Sequence, residues 1–202
     1  MLGAGSFGLN VLRALEKTGL REVVIDKDND VCEKIAGESD AVVLNKDFTQ
    51  PDVLDSLKIS EKDCVFAVCG SEEAVFLAGT YAKQSGAGRV IALVKNPSHA
   101  AVLEKIGIHA VVPEIVVAQQ LANEVANPVI YNLLNPEDSS LELFEATVTR
   151  RDAEKTAAEF EKSKDGKIIA AYDGSKFELA APGKKLVEGD KLVLIGKSKH
   201  KN

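Results

Sequence analysis

The sequence predicts an α/β fold: a doubly wound parallel sheet followed by a small C-terminal α+β module. Three observations carry this. Short apolar runs and amphipathic stretches alternate strictly up to about residue 112. A G-x-G-x-x-G spacing, Gly3-Ala4-Gly5-Ser6-Phe7-Gly8, stands just ahead of a helical pattern. Beyond residue 140 the apolar period becomes two. Strict alternation implies right-handed crossovers and parallel strands, whereas a period of two implies half-buried strands.

Each glycine of the opening turn has its own task if that turn holds a dinucleotide. Gly3 permits the tight turn out of a strand, Gly5 lets a pyrophosphate approach the backbone, and Gly8 lets the next helix pack on the sheet. The N–H groups and positive dipole end of that helix then face the phosphates. Leu9 with Leu12, and Val11 with Leu15, give the helix its apolar stripe, and Gly19 stops it. Glu22-Val23-Val24-Ile25-Asp26 reads as a buried parallel strand whose last residue is acidic, 18 positions beyond Gly8. A carboxylate there is placed to meet the two hydroxyls of an adenosine ribose. Only Met1-Leu2 remain of the strand that belongs before the turn. That strand normally sits mid-sheet with ladder bonds on both sides, so the expectation is a start set too far downstream rather than a stub at the centre.

The next elements follow in order. Asn29 or Asp30 caps a short helix around 31–35, stopped by Gly37, and Ala41-Val42-Val43-Leu44 is a buried strand. Thr49 with Asp52 resembles a capping pair for a short helix carrying Val53, Leu54 and Leu57. Residues 64–69 form a strand that Gly70 ends, and Ser71-Glu72-Glu73 opens a helix to about Gln84. A strand over 90–94 precedes Asn96-Pro97, a cap and an N1 proline for the helix 99–106, and Ala110-Val111-Val112 is a last strand. Ligands of such sheets lie outside the carboxyl ends of the strands. The 3–8 turn, Asp26, Asp47, Cys69-Gly70 and Glu114 all fall there, which makes a nucleotide site the reading of this Rossmann-like half.

After Glu114 the helices 115–126 and 129–134 carry Val116, Val117, Leu121 and Val125 with no sheet face left to cover. Such a surplus face is expected to dock on a second copy. Asn135-Pro136-Glu137-Asp138-Ser139-Ser140 reads as a linker. It divides a domain over 1–134 from one over 141–202. In the latter, Leu141 to Val148 suit a strand, and 152–162 a helix. A hairpin turns at Asp173-Gly174-Ser175, and a strand over 192–195 follows the Glu188-Gly189-Asp190 turn.

Charge excludes some partners. Residues 1–134 hold 12 Lys and Arg against 18 Asp and Glu, a net of −6, and residues 135–202 hold 13 against 13. Neither half has a basic footprint for nucleic acid, and the cationic tail 197–201 reads as a solvated end. No run reaches the roughly 18 apolar residues of a membrane span. Cys64 and Cys69 lie in an apolar strand and are expected to be buried free thiols. His99, His109 and His200 lack ligand spacing, so no metal is expected.

The residues in this order resemble the TrkA family, regulatory subunits of Trk/Ktr-type potassium uptake systems. There an RCK Rossmann domain precedes a small TrkA-C domain. The likeness rests on the 3–8 turn, Val24-Ile25-Asp26-Lys27-Asp28, Lys46-Asp47-Phe48-Thr49 and Asn96-Pro97-Ser98-His99. It continues through Val102-Leu103-Glu104-Lys105-Ile106-Gly107, Val112-Pro113-Glu114 and Leu186-Val187-Glu188-Gly189-Asp190 with the following strand to Gly196. It covers essentially the whole chain.

The resemblance implies a cytoplasmic protein at the inner face of the cell membrane, assembled as homodimers or rings beneath a membrane potassium-translocating subunit. It implies nucleotide control by NAD(H), ADP, AMP or ATP and no catalysis. By position, Gly3, Ala4, Gly5, Ser6, Phe7 and Gly8 would hold phosphates, and Asp26 with Lys27 the ribose side. Asp47 and Phe48 would flank the adenine, Cys69 and Gly70 at their strand end would belong to the same site, and Glu114 would lie near the nucleotide or a cation. Family members often carry Arg where Ser6 stands and Arg or Lys where Leu93 stands. Lys27 and Lys95 are the cations left for that role, so NAD(H), ADP or AMP is expected to bind at least as tightly as ATP. The alternative is an NAD-dependent oxidoreductase, which needs a general acid or base facing the nicotinamide.

Overall fold

The two residues ahead of the glycine turn occupy the middle of a sheet. In the computed structural model, which describes residues 1–135, 141–153, 155–179, 183 and 185–197, Leu2 bridges in parallel to Ile25 on one side and Ala67 on the other. Its N–H donates to the Phe66 carbonyl (2.7 Å), and its carbonyl accepts from Val68 N–H (2.9 Å). On the other flank, Gly3 N–H donates to Ile25 O and Ile25 N–H to Met1 O, both at 2.9 Å. Leu2 thus holds the central place in the sheet that the sequence reading gives to the strand before the glycine turn. The backbone groups of Met1, Leu2 and Gly3 pair with both neighbouring strands.

The stub joins a pair, β1 (Val23–Asp26) and β2 (Val42–Asn45), to a trio, β3 (Cys64–Ala67), β4 (Arg89–Leu93) and β5 (His109–Val111). All the pairings are parallel. The spatial order β2, β1, Leu2, β3, β4, β5 reverses direction at Leu2, which makes the sheet doubly wound. Adjacent residues of β1 point to opposite faces. Val24 packs with Leu9 and Leu12 of α1 (Ser6–Leu15) and with Ile35 of α2 (Asn29–Glu38). Ile25 belongs to the other face, with Val53 and Leu54 of α3 (Pro51–Ser56), Val75 and Ala78 of α4 (Glu72–Gln84) and Leu103 of α5 (Pro97–Lys105).

Two expected caps are replaced. Asp28, not Asn29 or Asp30, caps α2, accepting from the N–H groups of Asp30 (3.0 Å) and Val31 (3.4 Å). Helix α2 also runs through Gly37 to Glu38. The Thr49 hydroxyl does not cap α3, because it donates to Asp47 Oδ1 at 2.6 Å. That short-range bond outcompetes the helix end. The caps at Ser71 and Asn96 form as the sequence reads, accepting from Ala74 and Ser98 N–H.

The chain divides into two units, Met1–Gln119 and Gln120–Asn202. The break falls inside α6 (Pro113–Ala126), ahead of the 135–140 linker of the sequence reading, of which 136–140 lie outside the described residues, as does the 197–201 tail beyond Lys197. Neither α6 nor α7 (Pro128–Leu134) buries a residue; Val117, Leu121 and Val125 are 51%, 59% and 84% exposed.

The second unit contains an antiparallel sheet in the order β6 (Leu141–Thr147), β9 (Lys191–Lys197), β7 (Gly166–Tyr172), β8 (Phe177–Leu179). Its core is Val148, Phe160, Leu186, Leu192 and Leu194. Phe160 comes from α8 (Ala157–Lys164), which starts five residues later than the sequence reading expects. Thr156 and Glu159 form a capping box there, whereas Asp152 is held by the Thr149 hydroxyl (2.6 Å) and Lys155 (2.7 Å). Those two bonds pull the Asp152 carboxyl down to about 2.

Candidate functional site

A cavity of about 550 Å3 opens at the carboxyl ends of the strands of the first unit. This is the size of a small-molecule site. Four turns wall it: the glycine turn with Gly3 to Phe7, the β1 end with Asp26 to Asp28, the β2 end with Asp47 to Thr49, and the β3 end with Cys69 to Ser71. Leu93 and Lys95 close it from the end of β4.

The glycine turn fits by close contact. Gly3 has φ +86°, a left-handed value that suits glycine, and a Cβ built on it would lie 2.7 Å from Cys69 Cβ. Gly5 is the N-cap residue of α1, and no side chain caps that end. The first-turn N–H groups of α1 therefore remain available to an anion. Gly8 does not line the cavity; a Cβ there would come within 3.0 Å of the Gly3 carbonyl, so its role is packing.

Asp26 ties two of these turns together. One carboxylate oxygen accepts from Ala4 N–H at 2.7 Å, and the other from Asp28 N–H at 3.0 Å. Each oxygen keeps a further lone pair, which suits a diol such as the ribose 2′- and 3′-hydroxyls. Asp47 is braced in the same way by the Thr49 hydroxyl (2.6 Å) and N–H (2.9 Å). Those bonds hold its carboxyl below the ordinary range, with the nearby Lys27 ammonium adding to them. Phe48 lines the cavity but is only 6% exposed and packs in the core with Leu2 and Ile25, so most of its ring serves the fold. Phe7 is the more open aromatic, at 43%.

Burial pushes the Cys69 thiol above its usual value, and its Sγ–H donates to the Ser71 carbonyl (3.3 Å). Cys64, expected to be buried, is exposed at the start of β3, at the end of the strand remote from the cavity; only Cys32 is fully buried, and all three thiols are free. Glu114 does not line the cavity. It sits in the first turn of α6, beyond β5 at the edge of the sheet and two strands removed from β3. Among the described residues no cluster of His, Cys, Asp and Glu could hold a metal ion, and no helix is long and apolar enough to cross a membrane.

Sequence reasoning missed the bracing residues of the far wall. Glu72, in the first turn of α4, reaches across to the loop after β4. One oxygen accepts from the N–H groups of Lys95 and Asn96, the latter at 3.2 Å. The other meets His99 Nδ1, and the His99 ring stands edge-on to Phe76 at 5.7 Å between centroids. The Lys95 bond, followed by the His99 bond, holds the Glu72 carboxyl below its ordinary value.

Residues 1–114 match the TrkA-N domain. The chain belongs to the TrkA-N domain family. It is 24% identical over 200 residues to a "Trk system potassium uptake protein TrkA homolog" of Methanothermobacter thermautotrophicus, covering 98% of this chain and 93% of that one. It is 28% identical over 202 residues to the "Ktr system potassium uptake protein A" of Vibrio alginolyticus, covering 97% and 90%. Among solved structures, the GsuK RCK domain superposes with a TM-score of 0.51 at 21% identity, over 98% of this chain and 43% of that one. The GsuK channel bound to NAD gives 0.52 at 20% identity, over 98% and 36%. GsuK bound to ADP gives 0.51 at 20% identity, over 62% and 33%. The chain therefore spans less than half the length of these solved chains, and the likeness to them is one of fold. The TrkA-N family and the RCK neighbours share the parallel Rossmann-like sheet seen here.

Proposed function

We propose that the chain is a nucleotide-binding regulatory subunit of a potassium transport system. One observation carries the nucleotide reading: the uncapped start of α1 and the Asp26 carboxylate, joined by the Ala4 N–H bond, face one cavity. A pyrophosphate fits the first and an adenosine ribose the second. The potassium reading is supported by the relatives named for potassium uptake, which the chain matches over nearly their full length. The ligands proposed are NAD(H), ADP, AMP or ATP, with GsuK structures bound to NAD and to ADP as support. Gly3, Ala4, Gly5, Ser6 and Phe7 hold phosphates, Asp26 and Lys27 the ribose side, and Asp47 with the edge of Phe48 the adenine; Cys69 and Gly70 form the far wall.

The domains proposed are 1–134, which binds nucleotide and dimerises, and 141–202, a TrkA-C-like regulatory domain, joined by 135–140. The exposed faces of α6 and α7 pack against a second copy, and the assembly works at the cytoplasmic side of a membrane potassium-translocating subunit without catalysis of its own. Control follows from a nucleotide binding two assembly states unequally, since equal binding shifts nothing.

Thermal shift with NAD+, NADH, AMP, ADP and ATP tests the reading. A nucleotide at 100 times its dissociation constant stabilises by about 2.7 kcal/mol. Asp26→Ala is expected to weaken every one of them by about 1.5–3 kcal/mol, the scale of hydrogen bonds to a charged group. Calorimetry giving wild-type affinity in that variant removes Asp26 from the site. No stabilisation by any of the five in the wild-type protein removes the nucleotide reading.

A further inference from the structure

The cavity holds an unequal distribution of charge. Asp26, Asp28 and Asp47 line one side of it, with Lys27 among them. Lys27 follows Asp26 and precedes Asp28 in the chain and shares the cavity wall with Asp47, so it stands among three carboxylates. Ser6 offers a neutral hydroxyl at the phosphate end and Leu93 offers none. Lys95 lines the opposite wall and, among the described residues, forms no ion pair. Its backbone, by contrast, is firmly held. Glu72 accepts from both Lys95 and Asn96 N–H, and the Asn96 side chain in turn caps α5 through Ser98 N–H at 2.9 Å.

The arrangement is unusual for a first-turn glutamate. Such a residue ordinarily interacts with the dipole of its own helix. The cap of α4 is supplied by Ser71, whose hydroxyl oxygen accepts from Ala74 N–H and whose O–H donates to Glu73. Glu72 is thereby left for a neighbouring loop, and that loop carries the only lysine on its side of the cavity among the described residues.

We infer that Lys95 is the phosphate-side cation of this cleft and that Glu72 is the positioning residue that fixes it there, an assignment that rests on the nucleotide reading above. Glu72 neutralises nothing on the ligand. It holds the Lys95 backbone through its carboxylate, so a long, flexible side chain starts from a fixed point and loses less freedom when it meets a phosphate. Positions 6 and 93 hold Ser6 and Leu93, so Lys95 is the cation this wall of the cavity offers.

Titration calorimetry with ADP tests this on the full chain, using the wild type, Lys95→Met, Glu72→Ala, Glu72→Gln and the Glu72→Ala/Lys95→Met double variant. Lys95→Met is expected to weaken ADP by about tenfold or more, as for loss of one charge-assisted hydrogen bond. Glu72→Ala is expected to approach the same loss, and the double variant to be no weaker than Lys95→Met alone, since the glutamate acts only through the lysine. Glu72→Gln is expected to keep wild-type affinity, because its amide oxygen still accepts from both N–H groups. A double variant in which the two losses add gives Glu72 a general structural role and overturns its assignment. Wild-type affinity in Lys95→Met overturns the inference outright, and this surface variant decides it even where Glu72→Ala does not fold. A wild-type protein that binds no ADP, AMP, ATP or NAD(H) brings down the nucleotide reading, a separate outcome.

Discussion

Helices α4 and α6 are almost equal in length, 13 and 14 residues, and both carry apolar residues at helical spacing. Their fates differ completely. Helix α4 buries Val75, Ala78, Gly79 and Ala82, whereas α6 buries nothing. The buried residues of α4 are small, so its backbone comes close to the sheet; a Cβ on Gly79 would already touch Ile108 at 3.6 Å and Val90 at 3.8 Å. Helix α6 follows the edge strand β5, and its Val117 and Leu121 meet no such surface. Apolar periodicity thus marks a face, while position in the sheet order decides whether the same chain covers it.

Substitutions can break or sharpen this contrast, and the largest effect belongs to α4. Ala78 is fully buried, and Ala78→Asp would leave a charge there without a partner. The expected cost is about 3–5 kcal/mol, read as loss of the first unit's transition in urea. The equivalent insult to α6, Val117→Glu with Leu121→Glu, should change the unfolding free energy of the isolated chain by no more than about 0.5 kcal/mol. Its effect should instead appear in sedimentation velocity, as conversion of the wild-type assembly to monomer. A wild-type chain that sediments as a monomer at high micromolar concentration would end the idea that a second copy covers α6.

A smaller effect of opposite sign is expected at Gly79. The contacts a Cβ would make are ordinary ones, so Gly79→Ala should stabilise α4 by about 0.5–1 kcal/mol through reduced backbone freedom in the unfolded chain, visible as a raised Tm. Smallest is the effect of acid. Hydrogen bonds hold the Glu72 carboxyl below its usual value. The unfolded chain therefore binds more protons as the pH falls below about 4.5, and the stability Glu72 contributes at neutral pH is lost on acidification. Glu72→Gln should flatten that part of the pH–stability profile.

Much of the first unit is legible in its sequence because its signals are local. The alternation of apolar runs, the Gly3 turn and the acidic end of β1 each declare themselves within a few residues. The caps are less legible. Asp26, Asp28, Asn29 and Asp30 can all accept from a helix start, and the choice of Asp28 depends on where β1 releases the chain. Thr49 reads as a cap from spacing alone, yet Asp47 two residues earlier takes its hydroxyl. Glu72 and Lys95 lie 23 positions apart, and only the pairing of β3 with β4 brings their turns together. A glutamate in a first helical turn carries no mark in the sequence of a bond made to another loop. In the second unit, the sequence reads as helical from Asp152, five residues ahead of α8, whereas Asp152 is held by Thr149 and Lys155 and the capping box forms at Thr156.

The missing Cβ of Gly3 has a mechanical consequence. Cys69 fills the space it leaves, so the phosphate turn and the β3–α4 turn are seated one against the other without slack. From there Glu72 fastens the next turn, and Asn96 hands the connection to α5. The rim of the cleft is thus one unbroken run of contacts from the glycine turn through Cys69, Glu72 and Asn96 to α5, so none of its turns is set independently of the next.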